Sequence, residues 1–250
     1  VAPLFARLRD AGFDIDVTYH AEAILLQEFP EAADELEGLF LDIEIPVEEL
    51  IRGGGGVAKI TQRLRRALHA KGWLKQKFNV EKKINDRTTF AQSHEVDHVK
   101  AFSAGTIALE IEWNNKDPFF DRDLENFQRL HADGGISIGA IITRGSSLQS
   151  GIGAALLRYA RAQQFASFDD LRHFGLAPTQ RQRDTVAQLT ATGSRTFAEA
   201  WSQAFIADKY GTATTHWDKL TIRMARGVGS PCPLIAFGIP LSCVRGIPAE

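Results

Sequence analysis

IALEIEWNNKDPFFDRDL occupies residues 107–124. Ile107, Leu109 and Ile111 alternate with Ala108, Glu110 and Glu112. This is the period of a strand, with both carboxylates on one face and branched apolar side chains on the other. Two like charges on one strand face repel, and Glu is a poor strand former, so a bound cation is one physical reason to tolerate the pair. Exposed strand faces also carry Glu-x-Glu with no ligand, and spacing alone leaves both readings open. The chain then leaves through Trp113-Asn114-Asn115-Lys116-Asp117-Pro118, polar amides and a Lys before a Pro stop. An amphipathic helix follows, with Phe120, Leu124 and Phe127 at helical spacing. Upstream, HEVDHVK at residues 94–100 predicts a neighbouring strand that carries a third acid, Asp97, joined to the first by a loop containing Ser103 and Gly105. Three converging carboxylates are hard-oxygen donors suited to Mg²⁺.

Working outward, residues 136–143 form a near-continuous apolar run bounded by turn residues, a buried strand expected to lie parallel to its predecessor because a helix joins them. Strand, helix, strand is the core of an α/β fold, a central mixed sheet flanked by helices. Before it, residues 2–11 predict a short helix and 13–18 a short strand. Residues 31–41 predict a helix with Leu36, Leu39 and Phe40 as its core stripe and Glu35 at the edge of that stripe. Four glycines, residues 53–56, predict a mobile loop or hinge. Residues 57–70 predict a basic helix, Ile60, Leu64 and Leu68 inward and Lys59, Arg63 and Arg66 outward. That helix and the Lys- and aromatic-containing stretch after it suit a phosphate backbone, or else form a plain solvated face. Residues 144–153 predict a polar, glycine-rich loop whose Arg144 and Ser150 could reach DNA. Helices are expected within 155–210 and at 217–226, and a last buried strand at 233–240.

With 250 residues, 44% hydrophobic and 24% charged, the chain predicts one globular domain. The net charge of −2 conceals an asymmetry: residues 1–50 hold 13 acids against Arg7 and Arg9, a net of −11, whereas residues 59–83 hold nine Lys and Arg against Glu81, a net of +8. A protein with one polyanion-facing side fits that distribution. Two cysteines, Cys232 and Cys243, are too few for a disulfide framework, so a cytoplasmic location is expected. No membrane span and no secretory leader are expected from the hydropathy pattern.

HEVDHVK, IALEIEW and NNKDPFF-RDL together resemble the catalytic core of the BglII/BstYI group of restriction endonucleases, a branch of the PD-(D/E)xK nucleases. LDIE at 41–44, LHAKGW at 68–73, ISIGAIIT at 136–143 and RGVGSPCPLIAFGIP at 226–240 fall in the same order, while residues 155–214 read as a helical insertion within one domain spanning 1–250. The resemblance implies a homodimeric, Mg²⁺-dependent type II endonuclease cutting double-stranded DNA at a short palindrome, GATC-centred with a 5′ overhang. It implies that Asp97 and Glu110 hold the metal, that Glu112 orients the water or shares a second metal, and that Glu35 stands near them. Asn114, Asn115, Lys116, Arg144, Ser150, Lys59, Arg63 and Arg66 are the expected DNA contacts. A binding module without catalysis and a repair nuclease on the same core are the two readings left beside it.

Overall fold

A computed structural model describes residues 3–52, 57–191 and 193–249; the four-glycine hinge expectation lies outside the described residues. The chain opens with α1 (Ala6–Asp10), β1 (Asp14–Thr18), α2 (Ala21–Glu28) and α3 (Pro30–Leu41), the last with Pro at its first turn, where the missing N–H costs nothing. The short β2 (Ile45–Pro46) and α4 (Val47–Ile51) lead to the basic α5 (Lys59–Ala70). Next come β3 (Leu74–Ile84), β4 (Arg87–Phe102), β5 (Gly105–Ile111), α6 (Phe119–Ala132) and β6 (Ile138–Arg144). Four helices follow, α7 (Ser146–Ala162), α8 (Phe168–His173), α9 (Gln180–Thr190) and α10 (Phe197–Lys209). Capping boxes at Thr179/Gln182 and Thr196/Glu199 satisfy the free N–H groups that start α9 and α10. The chain closes with α11 (Trp217–Ala225), β7 (Leu234–Ile239) and β8 (Val244–Arg245), which pairs with β2.

Six strands form one mixed sheet in the order β1-β7-β6-β5-β4-β3. The central β5, β6 and β7 run parallel, while β4, β3 and β1 are antiparallel to their neighbours. Every residue of β6 and β7 is buried, as a strand covered on both faces requires. One face carries the larger core, in which Leu36 and Phe40 of α3 and Leu64 of α5 meet Leu109, Ile142 and Phe237. The other carries Phe120, Leu124 and Phe127 of α6 against Ala108, Ile141 and Ala236. Gly139 makes that second contact possible, because a Cβ there would lie 2.5 Å from the Phe127 ring.

One expectation is corrected. Residues 146–153 are not a loop: they begin α7, whose Leu148, Ile152, Ala155, Leu156 and Tyr159 make a buried helical stripe. The Lys-rich stretch after α5 is a strand of a long, largely exposed hairpin, β3 to β4, turned at Asn85 and Asp86, both with positive φ as a two-residue hairpin turn demands.

Candidate active site

The register of β4 sets the site. Leu74 pairs with Val99 but Gln76 pairs with Val96, so β4 holds one extra residue between them; such a bulge re-aims side chains. Beyond it His98 pairs with Leu109, and the next step puts Asp97 across from Glu110. The Asp97 backbone N–H donates to Glu110 Oε1 at 3.3 Å. Glu112 follows at the end of β5, its own N–H donating to the Ile142 carbonyl at 2.9 Å. Glu110 and Glu112 are 8% and 3% exposed.

Asp97, Glu112 and Asp123 are engaged by cations or amides. Arg65 of α5 pairs with Asp97, and Lys75 stands 3.8 Å from the same carboxylate. Asn115 donates to Glu112 Oε2 at 2.5 Å, and Arg122 approaches Glu112 Oε1 at 3.4 Å. Arg122 also donates through Nε to Asp123 Oδ1 at 2.8 Å. Burial, with Asp123, Asp97 and Glu112 nearby, pushes the Glu110 carboxyl up to about 9. Burial, and each acid's proximity to other carboxylates, also raises the Glu112 and Asp123 pair. Asp123 is 2% exposed and its Oδ2 has no hydrogen-bond partner.

Among the described residues, no three His, Cys, Asp or Glu side chains are gathered closely enough to form a metal cage. Asp97 is engaged by Arg65 and Lys75 and Glu112 by Asn115 and Arg122, while among the described residues Glu110 has only the Asp97 N–H. The donor set still fits a divalent cation: Mg²⁺ keeps several waters and needs only one or two carboxylates, and here buried oxygens outnumber the positive charges beside them.

A cavity of about 740 Å³ is lined in part by Lys59, Gln62 and Arg65 of α5, by Ile111, Asn114 and Asn115, and by Tyr210. None of the four acids lines it, and it adjoins them through Arg65 and Asn115, the partners of Asp97 and Glu112. Lys59, Arg66 and Lys116 are exposed. Arg63 is held by Glu49 at 2.5 Å.

Other expected residues lie elsewhere or are already engaged. Glu35 accepts from Trp73 Nε1 at 2.5 Å and from Lys100 Nζ at 2.7 Å. Lys100 lies across from Ile107, on the face of the larger core, so strand alternation puts Glu35 on the opposite side of the sheet from Glu110. Arg144 is fully buried rather than solvent-facing. It donates to Asn114 Oδ1 at 3.0 Å, Thr214 Oγ1 at 2.7 Å and the Thr215 carbonyl at 2.7 Å, with Tyr210 stacked 4.9 Å away. It fastens the exit from β5 to the connection between α10 and α11. Ser150 sits on α7, exposed, its hydroxyl donating to the Ser146 carbonyl at 2.9 Å.

Sequence reasoning missed Arg65, Arg122 and Asp123. A signal for Asp123 was present: it falls between Phe120 and Phe127 in the buried stripe of α6, where an unpaired acid is costly. Arg65 carried none, being one basic residue among several on α5.

A mixed six-stranded sheet with acids meeting where β4 and β5 adjoin, and with Arg65, Lys75 and Arg122 beside them, has the form of an α/β nuclease core. The model of the restriction endonuclease BglII/BglIII family matches residues 13–239, most of the chain, and the chain belongs to that family. Membership brings with it a DNA substrate and hydrolase chemistry. No curated protein matches the chain, and no helix among the described residues is long and apolar enough to cross a membrane.

Proposed function

We propose that this chain is a Mg²⁺-dependent type II restriction endonuclease acting as a homodimer in the cytoplasm on a short palindromic duplex. The observation that carries the reading is the meeting of Asp97 and Glu110 across adjoining strands, with the Asp97 amide on the Glu110 carboxylate. Asp97 and Glu110 would hold the cation, with Arg65 leaving Asp97 as it binds. When bound, Mg²⁺ lowers the pKa of a coordinated water and offsets phosphate charge.

Glu112, fixed by Asn115, orients the attacking water on one side of the phosphorus, and one P–O bond forms as the opposite one breaks. Exposed Lys59, Arg66 and Lys116 meet backbone phosphates, and Asn115 and Lys116 stand where a base edge could be read. Asn114 and Arg144 hold that loop in place instead of reading DNA themselves. Two copies related by a two-fold axis cut both strands of a palindrome, GATC-centred with four-base 5′ overhangs. Residues 155–214, from within α7 through α10, are an insertion on this core.

Digestion of DNA of known sequence, followed by sequencing of the fragment ends, tests this. All ends should fall at one palindrome with Mg²⁺ and none should appear with EDTA. Ends scattered at random, or cutting that survives EDTA, would overturn the proposal.

A further inference from the structure

Three buried acids, Glu110, Glu112 and Asp123, gather at the site. Lys116 was among the residues expected to contact DNA beside them. In the structure its residue is tied by a backbone bridge to Thr214, and its side chain is exposed on the exit loop.

Another cation is better placed. Arg122, in the first turns of α6, lies within 3.4 Å of Glu112 and 2.7 Å of Asp123. Its side chain is 53% exposed, whereas the side chains of the two acids it touches are 4% and 1% exposed. One edge of the guanidinium is therefore spent on buried carboxylates, and the remainder faces solvent at the mouth of the site. Phe119 stacks on it at 4.4 Å, fixing its plane. A guanidinium offers five N–H donors in a rigid fork, so these contacts leave donors for a phosphate. Asp123 explains itself the same way. A buried acid in an apolar helix stripe, with one oxygen unpartnered, earns its place by anchoring what it touches.

We propose that Arg122 is the catalytic cation that faces the scissile phosphate as its charge builds, with Asp123 as the positioning residue that aims it. This rests on the nuclease reading above. Preorganised cations aimed at a transferring phosphoryl group act on the transition state more than on binding, so the effect should appear in the chemical step.

The experiment is single-turnover cleavage of a duplex carrying the mapped site, with protein in saturating excess, and duplex affinity measured with Ca²⁺ replacing Mg²⁺. Arg122→Ala should cut about 100-fold more slowly or worse, with affinity changed by no more than about 3-fold. Millimolar guanidinium chloride should restore part of the rate, and Arg122→Lys should retain more than Arg122→Gln. Asp123→Asn should slow the same step about 10-fold, with partial recovery in Asp123→Glu. Thermal melts check folding, and should Arg122→Ala fail to fold, the Lys and Gln variants carry the comparison.

Arg122→Ala cutting within about 3-fold of wild type, or a loss confined to affinity, or a slowed variant that neither guanidinium nor Lys improves, would overturn the assignment. Glu110→Ala separates the two failures. If wild type cuts, Glu110→Ala does not, and Arg122→Ala does, only the role of Arg122 falls. If wild type cuts no duplex, the nuclease reading falls with it.

Discussion

Glu110 is a carboxylate kept where a folded protein without a cation would rather not have one. Burial, reinforced by Asp123 and Asp97, pushes its pKa up to about 9 from an ordinary 4.5. The folded state thus keeps a proton that the unfolded chain releases. The stability this lends is complete below about pH 4.5 and is lost as pH rises toward about 9. Glu110→Gln has no charge to bury at any pH. In EDTA it should match wild type near pH 4.5 and melt higher at pH 8, by about 1–4 kcal/mol or roughly 2–16 °C; thermal melts across that range check it, and a gap that narrows with pH would contradict it. Arg144 is the opposite case, a buried cation that supports structure. Arg144→Met leaves Asn114 Oδ1 and the Thr215 carbonyl without their donor and should cost about 2–4 kcal/mol by urea unfolding. Polarity suggested that Arg144 faced DNA, and only the antiparallel run of 114–117 against 213–215 reveals what it holds. The shared strand face of Glu110 and Glu112 was legible because alternation fixes it, whereas the bulge that sets Asp97 across from Glu110 leaves no mark in the sequence. Glu35 was misplaced because a helical stripe says which face is buried, not which side of the sheet the helix covers.

The β5-α6-β6 unit was readable from period alone, two to helical and back to an apolar run, and β7 followed from the same argument. The β3 to β4 hairpin was not. Both faces of β3 are largely exposed, so no alternation marks it, and Asn85-Asp86 was the sole local clue. The start of α7 was hidden by Gly151 and Gly153, which suggest a loop. Gly151 serves packing instead, since a Cβ there would lie 2.5 Å from Leu241 Cδ2. Gly139 plays that part between β6 and α6, where the nearest ring atom is not free to move aside. Gly139→Ala should destabilise by about 1–3 kcal/mol through overpacking against Phe127. Denaturant midpoints would show it, and paired Phe127→Leu should recover part of the loss.

Across the whole molecule, the acidic and basic segments of the sequence meet: the acidic first fifty residues supply α1 to α3 and most of α4, where Glu49 pairs with Arg63 of α5 and Glu35 with Lys100 of β4. Arg65 of α5 and Lys75 of the hairpin stand at Asp97. Both cysteines are free and buried, and burial pushes Cys232 up to about 12 and Cys243 up to about 11. A thiol reagent at pH 8 should therefore modify neither until urea unfolds the protein; rapid labelling of the native state would show a looser core than the one described. Central to the proposal is a divalent cation held between two strands. Diffraction from crystals soaked in Mn²⁺, recorded at the manganese edge, tests this directly. The account predicts an anomalous peak within coordination distance of both the Asp97 and Glu110 carboxylates, with Arg65 displaced from Asp97. A peak elsewhere, or none beside that pair at millimolar Mn²⁺, would contradict it.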